Sequence, residues 1–489
     1  MPPFLLRLCC LLLCPVVPPL LAQTDPAPIF APCHLTGSGG SGSLQAQCAT
    51  WLRPLNPDAG DGEQIELFIA KLPSTAMEPA ADALTLINGG PGGSSVDLLV
   101  EYAPVLQRFT RERDVLVIDQ RGTGRSTALN CASLTDAPEA YEEAKILEAT
   151  AGCLQQLSHD PRFFTTSVAV TDLEALRVSL GYAQLSLYGV SYGTRVVQQY
   201  LRRYPEFTRS AVIDGVVPPP AALGSNVALN SQQALDNVFS RCHQAPACAE
   251  NFPTLEADFD RLSTRLKAQS VALTLPHPVS GIATNLDFTY GHLALWIRLA
   301  LYVPETSALI PMVIDQAANR ENYLPVAASA LRMLDALTRS INYGMHNAVV
   351  CTEDAPFYSD DDADREAAAA TYLGREMADS LRAMCSLWPA GVRHDDLKAP
   401  LESDVPVLVL SGEFDPITPP AYGEAVMPGL QNATHIIAPG QGHGVLARGC
   451  VPTLVLEFVE AASSTELASD CVKYLSPFPF FTNAMGPPP

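Results

Sequence analysis

The chain has 489 residues, 47% hydrophobic and only 17% charged, so it can bury a large core and is not disordered as a whole. Its length suits one large domain with an insertion, or two domains. A formal net charge of −22 argues against nucleic acid or an anionic membrane surface as a partner, because both select clusters of Lys and Arg.

At the N-terminus Arg7 gives a small positive start, Leu8–Val17 is apolar, and Leu20, Leu21 and Ala22 end in a small side chain before Gln23. This predicts an export signal over 1–22, cleaved after Ala22, and therefore a secreted or periplasmic protein. The stretch is short and carries Pro15, Pro18 and Pro19, which speaks against a retained anchor, and bulky Leu13 speaks against lipid attachment at Cys14. No later segment has the unbroken apolar length of a span, so no stable membrane anchor is expected. The cysteines agree with export. Of 13, three (Cys9, Cys10, Cys14) lie in the signal, and the rest fall in close sequential pairs. Pairing neighbours gives Cys33–Cys48, Cys131–Cys153, Cys242–Cys248, Cys351–Cys385 and Cys450–Cys471. None has the CxxC spacing that zinc or thiol redox chemistry would use.

Residues 24–45 are rich in Pro, Gly and Ser and predict a flexible lead-in. Strands are then expected over Ile65–Leu72, Leu84–Ile87, Asp114–Ile118, Leu185–Val190 and Ala211–Ile213, with helices over Val168–Leu180 and Tyr192–Tyr204. That alternation predicts a mostly parallel sheet with helices on both faces. Near Val217 and Pro218–Pro220 the pattern changes. From 221 to 400 the text is mainly helical, with helices expected at Leu229–Arg241, Leu255–Ala268, Tyr290–Tyr302, Glu321–Ser340 and Asp364–Met384. The run Asp360–Asp362 is a solvated helix start rather than a metal loop. Strand and helix then alternate again: Val405–Leu410, Ala421–Met427, Thr434–Ile437 and Pro452–Ala461. The expected organisation is a signal at 1–22, a first part of the core at 23–220, an inserted helical block at 221–400, and the rest of the core with a tail at 401–489. The tail after Cys471 is aromatic and Pro-rich and suggests no role.

The chemistry begins at Gly189-Val190-Ser191-Tyr192-Gly193, a G-x-S-x-G pattern between an expected strand and an expected helix. Such a turn projects a serine hydroxyl above a sheet, and the flanking glycines avoid the clashes of a strained backbone. A serine needs a base, and the base needs an orienting acid. On a sheet of this kind the acid and then the histidine follow later strands. Asp415 lies after Val405–Leu410 and is the acid candidate, with Glu413 as the alternative. His443 lies in a glycine-rich loop after the next strand, whereas His435 inside that strand is expected to be packed. Acyl transfer also needs backbone N–H groups for an oxyanion. Asn88-Gly89-Gly90-Pro91-Gly92-Gly93 follows a buried strand, which proposes the N–H groups of Tyr192 and Gly90, with Gly89 as the alternative. The G-K-[ST] of a phosphate loop is missing there. Together these features predict an α/β-hydrolase fold with an inserted helical cap.

Asn88-Gly-Gly-Pro-Gly-Gly, Asp119-Gln-Arg-Gly-Thr-Gly-Arg-Ser126, Gly189-Val-Ser-Tyr-Gly-Thr194 and Asp415-Pro-Ile-Thr-Pro419 together resemble the proline iminopeptidase and tripeptidyl aminopeptidase group of α/β-hydrolase serine peptidases. Asn88 and Tyr192 stand where proline iminopeptidases usually have His and Trp, so the likeness is closer to the secreted tripeptidyl-type branch. The resemblance implies an exopeptidase acting on peptides with a free N-terminus, without metal or organic cofactor, and a cap inserted before the acid strand. It also implies acidic cap residues that hold the substrate ammonium, for which Glu353 and then Asp354 are the candidates. Arg121 and Arg125 are expected to fix their loop rather than touch substrate. An esterase with the same triad and a catalytically dead binding protein on this fold are the rivals.

Overall fold

The computed structural model describes residues 27–37, 42–59, 62–131, 143–465 and 467–487. The expected signal at 1–22, its cleavage point at Ala22, and Cys9, Cys10 and Cys14 lie outside these residues.

Nine strands form one sheet: β1 (Ala31–Thr36), β2 (Ser43–Pro54), β3 (Gln64–Leu72), β4 (Asp82–Ile87), β5 (Asp114–Ile118), β6 (Gln184–Val190), β7 (Thr208–Asp214) and, after a long excursion holding β8 (Val271–Pro276) and β9 (Ala283–Phe288), β10 (Val407–Gly412) and β11 (Ala433–Ala438). Their order across the sheet is β1-β2-β3-β5-β4-β6-β7-β10-β11. The β1–β2, β2–β3 and β3–β5 pairs are antiparallel. From β5 through β4, β6, β7 and β10 to β11 every pair is parallel.

Burial explains the strand sequences. Alternate residues of β5 go to opposite cores, Leu116 and Ile118 to one, Val115 and Val117 to the other. β10 divides in the same way, with Val407 and Val409 on one side and Leu408 and Leu410 on the other. Strands covered on both faces carry continuous apolar runs, as these do. β2, in the antiparallel part, alternates between buried and exposed residues over much of its length.

Between β7 and β10 the chain builds a block with a core of its own, centred on Phe239, Phe259, Phe288, Trp296 and Ile314. The helices expected there are present, with two corrections. The block also contains the antiparallel β8–β9 hairpin. The single helix expected at Asp364–Met384 is two, Asp362–Ala369 and Glu376–Leu387, broken at Gly374, whose φ of +62° suits glycine. Asp361 caps the first of these, accepting from Ala363 N at 2.8 Å, so the acidic run is a helix start. The 24–45 lead-in is also corrected in part, since 31–36 and 43–45 lie in paired strands. Gly and Ser dominate the link between β1 and β2, not the strands themselves.

All five expected disulfides are formed. Cys351–Cys385 joins the helices Tyr343–Glu353 and Glu376–Leu387 inside the block. The tail crosses from core to block. Ser476 O accepts from the Gln441 side chain at 3.2 Å, and Phe481 N donates to Ala308 O at 3.2 Å. Among the described residues no helix is long and apolar enough to cross a membrane.

Candidate active site

β6 ends at Val190 and a helix starts at Tyr192, leaving Ser191 alone in the turn with φ 56° and ψ −126°. A non-glycine residue in that region costs on the order of 1–3 kcal/mol and is held only by strong surroundings. Those surroundings are visible. Ser191 N donates to Asp214 O at 2.9 Å, and Ser191 O accepts from the Thr194 hydroxyl at 2.6 Å. Glycine is required on both sides. A Cβ on Gly189 would lie 2.5 Å from Gly193 O, and one on Gly193 would lie 2.2 Å from Ile87 O.

Asp415 follows β10 and His443 follows β11, as the order of the motifs predicts. His443 Nδ1 lies 2.7 Å from Asp415 Oδ2. Thr418 Oγ1 donates to the same oxygen at 2.7 Å, and the N–H groups of Ile417 and Thr418 donate to Oδ1 at 2.9 Å each. The carboxylate is thus fixed by three donors besides the histidine, and Nε2 of His443 is left as the basic nitrogen. Burial alone would lower the His443 pKa. The charge and hydrogen bond of Asp415, with a smaller push from Asp214, outweigh burial and hold it above the ordinary imidazole value. The alternative acid, Glu413, instead accepts from Gly440 N at 2.7 Å. His435 is bonded to Ser411 Oγ at 2.9 Å within the sheet, as expected for a packed side chain.

Asp214 was not singled out by sequence reasoning. It ends β7 fully buried and accepts from Tyr188 Oη at 2.9 Å, Val445 N at 2.9 Å and Leu446 N at 3.0 Å. Desolvation raises its pKa to about 6 in spite of these donors. One residue therefore ties the nucleophile turn, through its carbonyl, to the chain just after His443, through its carboxylate. Gly215 completes the joint, since a Cβ there would sit 3.1 Å from His443 Cε1. The only signal in the sequence was an Asp-Gly at the end of a strand. Thr418 stood inside a quoted motif but had been given no role.

The glycine loop after β4 lies against the serine. A Cβ on Gly89 would be 2.7 Å from Ser191 Cβ and 3.2 Å from its Oγ. Gly89 N donates to the Asn88 side chain at 2.7 Å, so it is already engaged, and Gly90 is the better loop donor. Tyr192 is the first residue of its helix, where an N–H has no intrahelical partner. Its phenol is buried and bonded to Thr166 Oγ1 at 2.8 Å. Arg121 and Arg125 do hold their loop. Arg121 is fully buried, forked onto Asp172 at 2.7 and 2.9 Å, and bonded to Leu55 O; Arg125 donates to Thr36 O.

The helical block touches this machinery at two points. Asn342 donates to Gly92 O through its backbone at 3.0 Å and its side chain at 3.1 Å, beside a backbone bridge between Gly93 and Ile341. Tyr302 O accepts from His443 N at 2.8 Å, and the Tyr302 ring meets the imidazole edge-on, with centroids 5.2 Å apart.

Glu353 and Asp354 require a correction. Both are fully buried at the end of the helix Tyr343–Glu353. Arg195 forks onto Asp354 at 2.6 and 2.9 Å and reaches Glu353 at 3.3 Å. Lys398 and Leu223 N take further positions on Asp354, and Thr166 donates to both oxygens of Glu353. With their acceptor sites filled from within the protein, neither carboxylate is available to a substrate ammonium.

Comparison with known proteins agrees with this architecture. The family described as "alpha/beta hydrolase fold" matches residues 82–282, and the family described as "TAP-like protein" matches residues 370–471. "Serine protease Hip1" of Mycobacterium tuberculosis is 23% identical over 459 residues, covering 87% of each chain. "Carboxylesterase B" of the same species is 27% identical over 483 residues, covering 90% of each. "Tripeptidyl aminopeptidase" of Streptomyces lividans is 27% identical over 191 residues, covering 35% of this chain and 36% of its own. The chain has the α/β-hydrolase fold, and it is similar to the TAP-like and tripeptidyl aminopeptidase proteins built on it.

Proposed function

We propose that the chain is an exported serine exopeptidase that cleaves peptide bonds near a free N-terminus through an acyl-enzyme on Ser191. The observation that carries this reading is a buried Asp415–His443 pair beside a strained serine, with the block clamped over both the glycine loop and the histidine loop. Ser191 Oγ attacks the carbonyl carbon and its proton passes to His443 Nε2. Asp415 keeps the proton on Nδ1 and stabilises the imidazolium. The N–H groups of Gly90 and Tyr192 receive the oxyanion. The imidazolium then protonates the leaving amine, and water, activated by the same imidazole, releases the acyl group. Contacts of the block with the glycine loop and the histidine loop, on two sides of Ser191, support access for chain ends over the middle of a folded chain. Five disulfides support an oxidising compartment and hence export.

A carboxylesterase is the second reading. It is favoured by the internal pairing of Glu353 and Asp354, which removes the two acidic residues expected to select a free amine. The test is hydrolysis of Ala-, Pro- and Ala-Ala-Pro-type chromogenic amides, each with a free and an acetylated N-terminus, and of a short acyl ester, by the native protein and by Ser191→Ala. Free-amine peptides should be cleaved best, and Ser191→Ala should lose about 10⁴-fold or more in kcat. Equal rates on acetylated and free peptides, or turnover of the ester alone, would leave the esterase.

A further inference from the structure

The helix Tyr290–Ala300 carries Arg298, one helical turn before Tyr302, the residue whose ring and carbonyl meet His443. Tyr302 lies in the turn that follows the helix, where its N–H donates to Leu299 O at 3.3 Å. The guanidinium lies close enough to the phenols of Tyr302 and Tyr343 and to the imidazole of His346 to act on their ionisation. Tyr343 and His346 stand just after Asn342, the residue that grips the glycine loop. Arg298 is therefore located between the two segments of the block that touch the two halves of the catalytic machinery.

What surrounds it is neutral. Its guanidinium is hydrogen-bonded to the Tyr302 phenol, its Nε is buried without a hydrogen-bond partner, and among the described residues no carboxylate lies within ion-pair distance of it. This is not for want of acids, since the chain has 52 acidic and 30 basic residues. The fully buried arginines are paired, Arg113 with Asp82, Arg121 with Asp172 and Arg195 with Asp354, whereas the half-buried Arg202 and Arg209 bond backbone carbonyls and Arg241 lies over the rings of Phe414 and Phe480. A half-buried cation without a counter-charge is unfavourable unless an anion arrives, and the planar fork of arginine matches a carboxylate.

We propose that Arg298 binds a carboxylate of the substrate next to the scissile bond. The inference deepens the peptidase reading and rests on it for the class of substrate. Such a carboxylate has two sources, the C-terminus of a short peptide or an acidic side chain.

The test compares kcat/KM of the native protein and of Arg298→Met on three matched pairs. These are Ala-Ala-Pro-Ala as free acid and as amide, Ala-Ala-Pro-Glu amide and Ala-Ala-Pro-Gln amide, and monomethyl succinate and methyl butyrate. The native protein should favour the charged member of at least one pair by about 10- to 100-fold, the range of a hydrogen bond to a charged group. R298M should erase that preference while keeping the uncharged member within about threefold, and Arg298→Lys should retain part of it. The first pair responds to a C-terminal carboxylate and the second to an acidic side chain. Cleavage of the esters alone, with an Arg298-dependent preference for the succinate, would overturn the N-terminal reading and uphold carboxylate binding. Absence of any preference in the native protein, which needs no folded variant, would overturn the proposal. So would a preference that survives in R298M.

Discussion

The sheet and the block that interrupts it reach their cores by different routes, and they divide the site between them. In the sheet, strands such as β10 bury every residue, and every group of the proposed triad and oxyanion loop hangs from a strand end. In the block, amphipathic helices and a hairpin close over a separate aromatic core. What the block contributes to the cleft is a pair of contacts, Asn342 on Gly92 and Tyr302 on His443, and a set of side chains between them. In the proposed mechanism the sheet supplies the chemistry and the block selects what reaches it. Breaking the joints between the two regions, one at a time, tests that division.

The deepest joint should give the largest effect. Arg195 belongs to the helix that starts at the nucleophile, while Glu353 and Asp354 belong to the block, and all three are fully buried. Removing one member of a buried ion pair strands the other charge and costs about 3–5 kcal/mol. Arg195→Met should therefore lose about that much stability in denaturant unfolding, and replacing all three by apolar side chains together should recover only part of it, since Lys398, Leu223 N and Thr166 lose their acceptors. The ratio of rates on free-amine and acetylated peptides should stay unchanged in Glu353→Gln. A rise in KM confined to free-amine peptides in that variant would return Glu353 to substrate recognition.

The same division explains what the sequence revealed. Ser191, Asp415 and His443 were legible because each motif is local: the residues that make the turn possible are its immediate neighbours, and strand order does the rest. The five disulfides were legible because their partners are close in sequence. Arg195 and Asp214 were missed because their partners are remote, at 353–354 and 445–446. Glu353 was misassigned for the same reason. Its chemistry suits an ammonium, and only the fold shows that a guanidinium from 158 positions away already fills its place. The β8–β9 hairpin escaped because a two-stranded ribbon, half-exposed on the block, has no long apolar run to announce it.

A shallower joint should give a smaller effect. The Asn342 side chain adds one hydrogen bond to Gly92 O, where its own backbone N–H already donates. Such a bond contributes about 1 kcal/mol. Asn342→Ala should then lower kcat by about fivefold with little change in KM, since the glycine loop serves the oxyanion more than the bound substrate. An equal loss on KM would assign Asn342 to substrate binding instead.

The smallest effect should come from Asp214, which lies wholly within the sheet region and acts on His443 through space. His443 must be neutral to accept the serine proton, so activity is lost as pH falls through its raised pKa. The limb of kcat/KM against pH should lie above the ordinary imidazole range. Asp214, with its own pKa raised to about 6, is charged above that pH and helps to hold the imidazolium. Asp214→Asn removes that charge while keeping an acceptor for Val445 and Leu446, so the limb should move to lower pH. The displacement should be modest, because Asp415 acts by both charge and hydrogen bond and Asp214 by charge alone. Well below pH 6, where Asp214 is already neutral, the charge on His443 should respond alike in variant and native protein. A limb that stays in place or moves to higher pH would mean that Asp214 serves only to anchor the histidine loop.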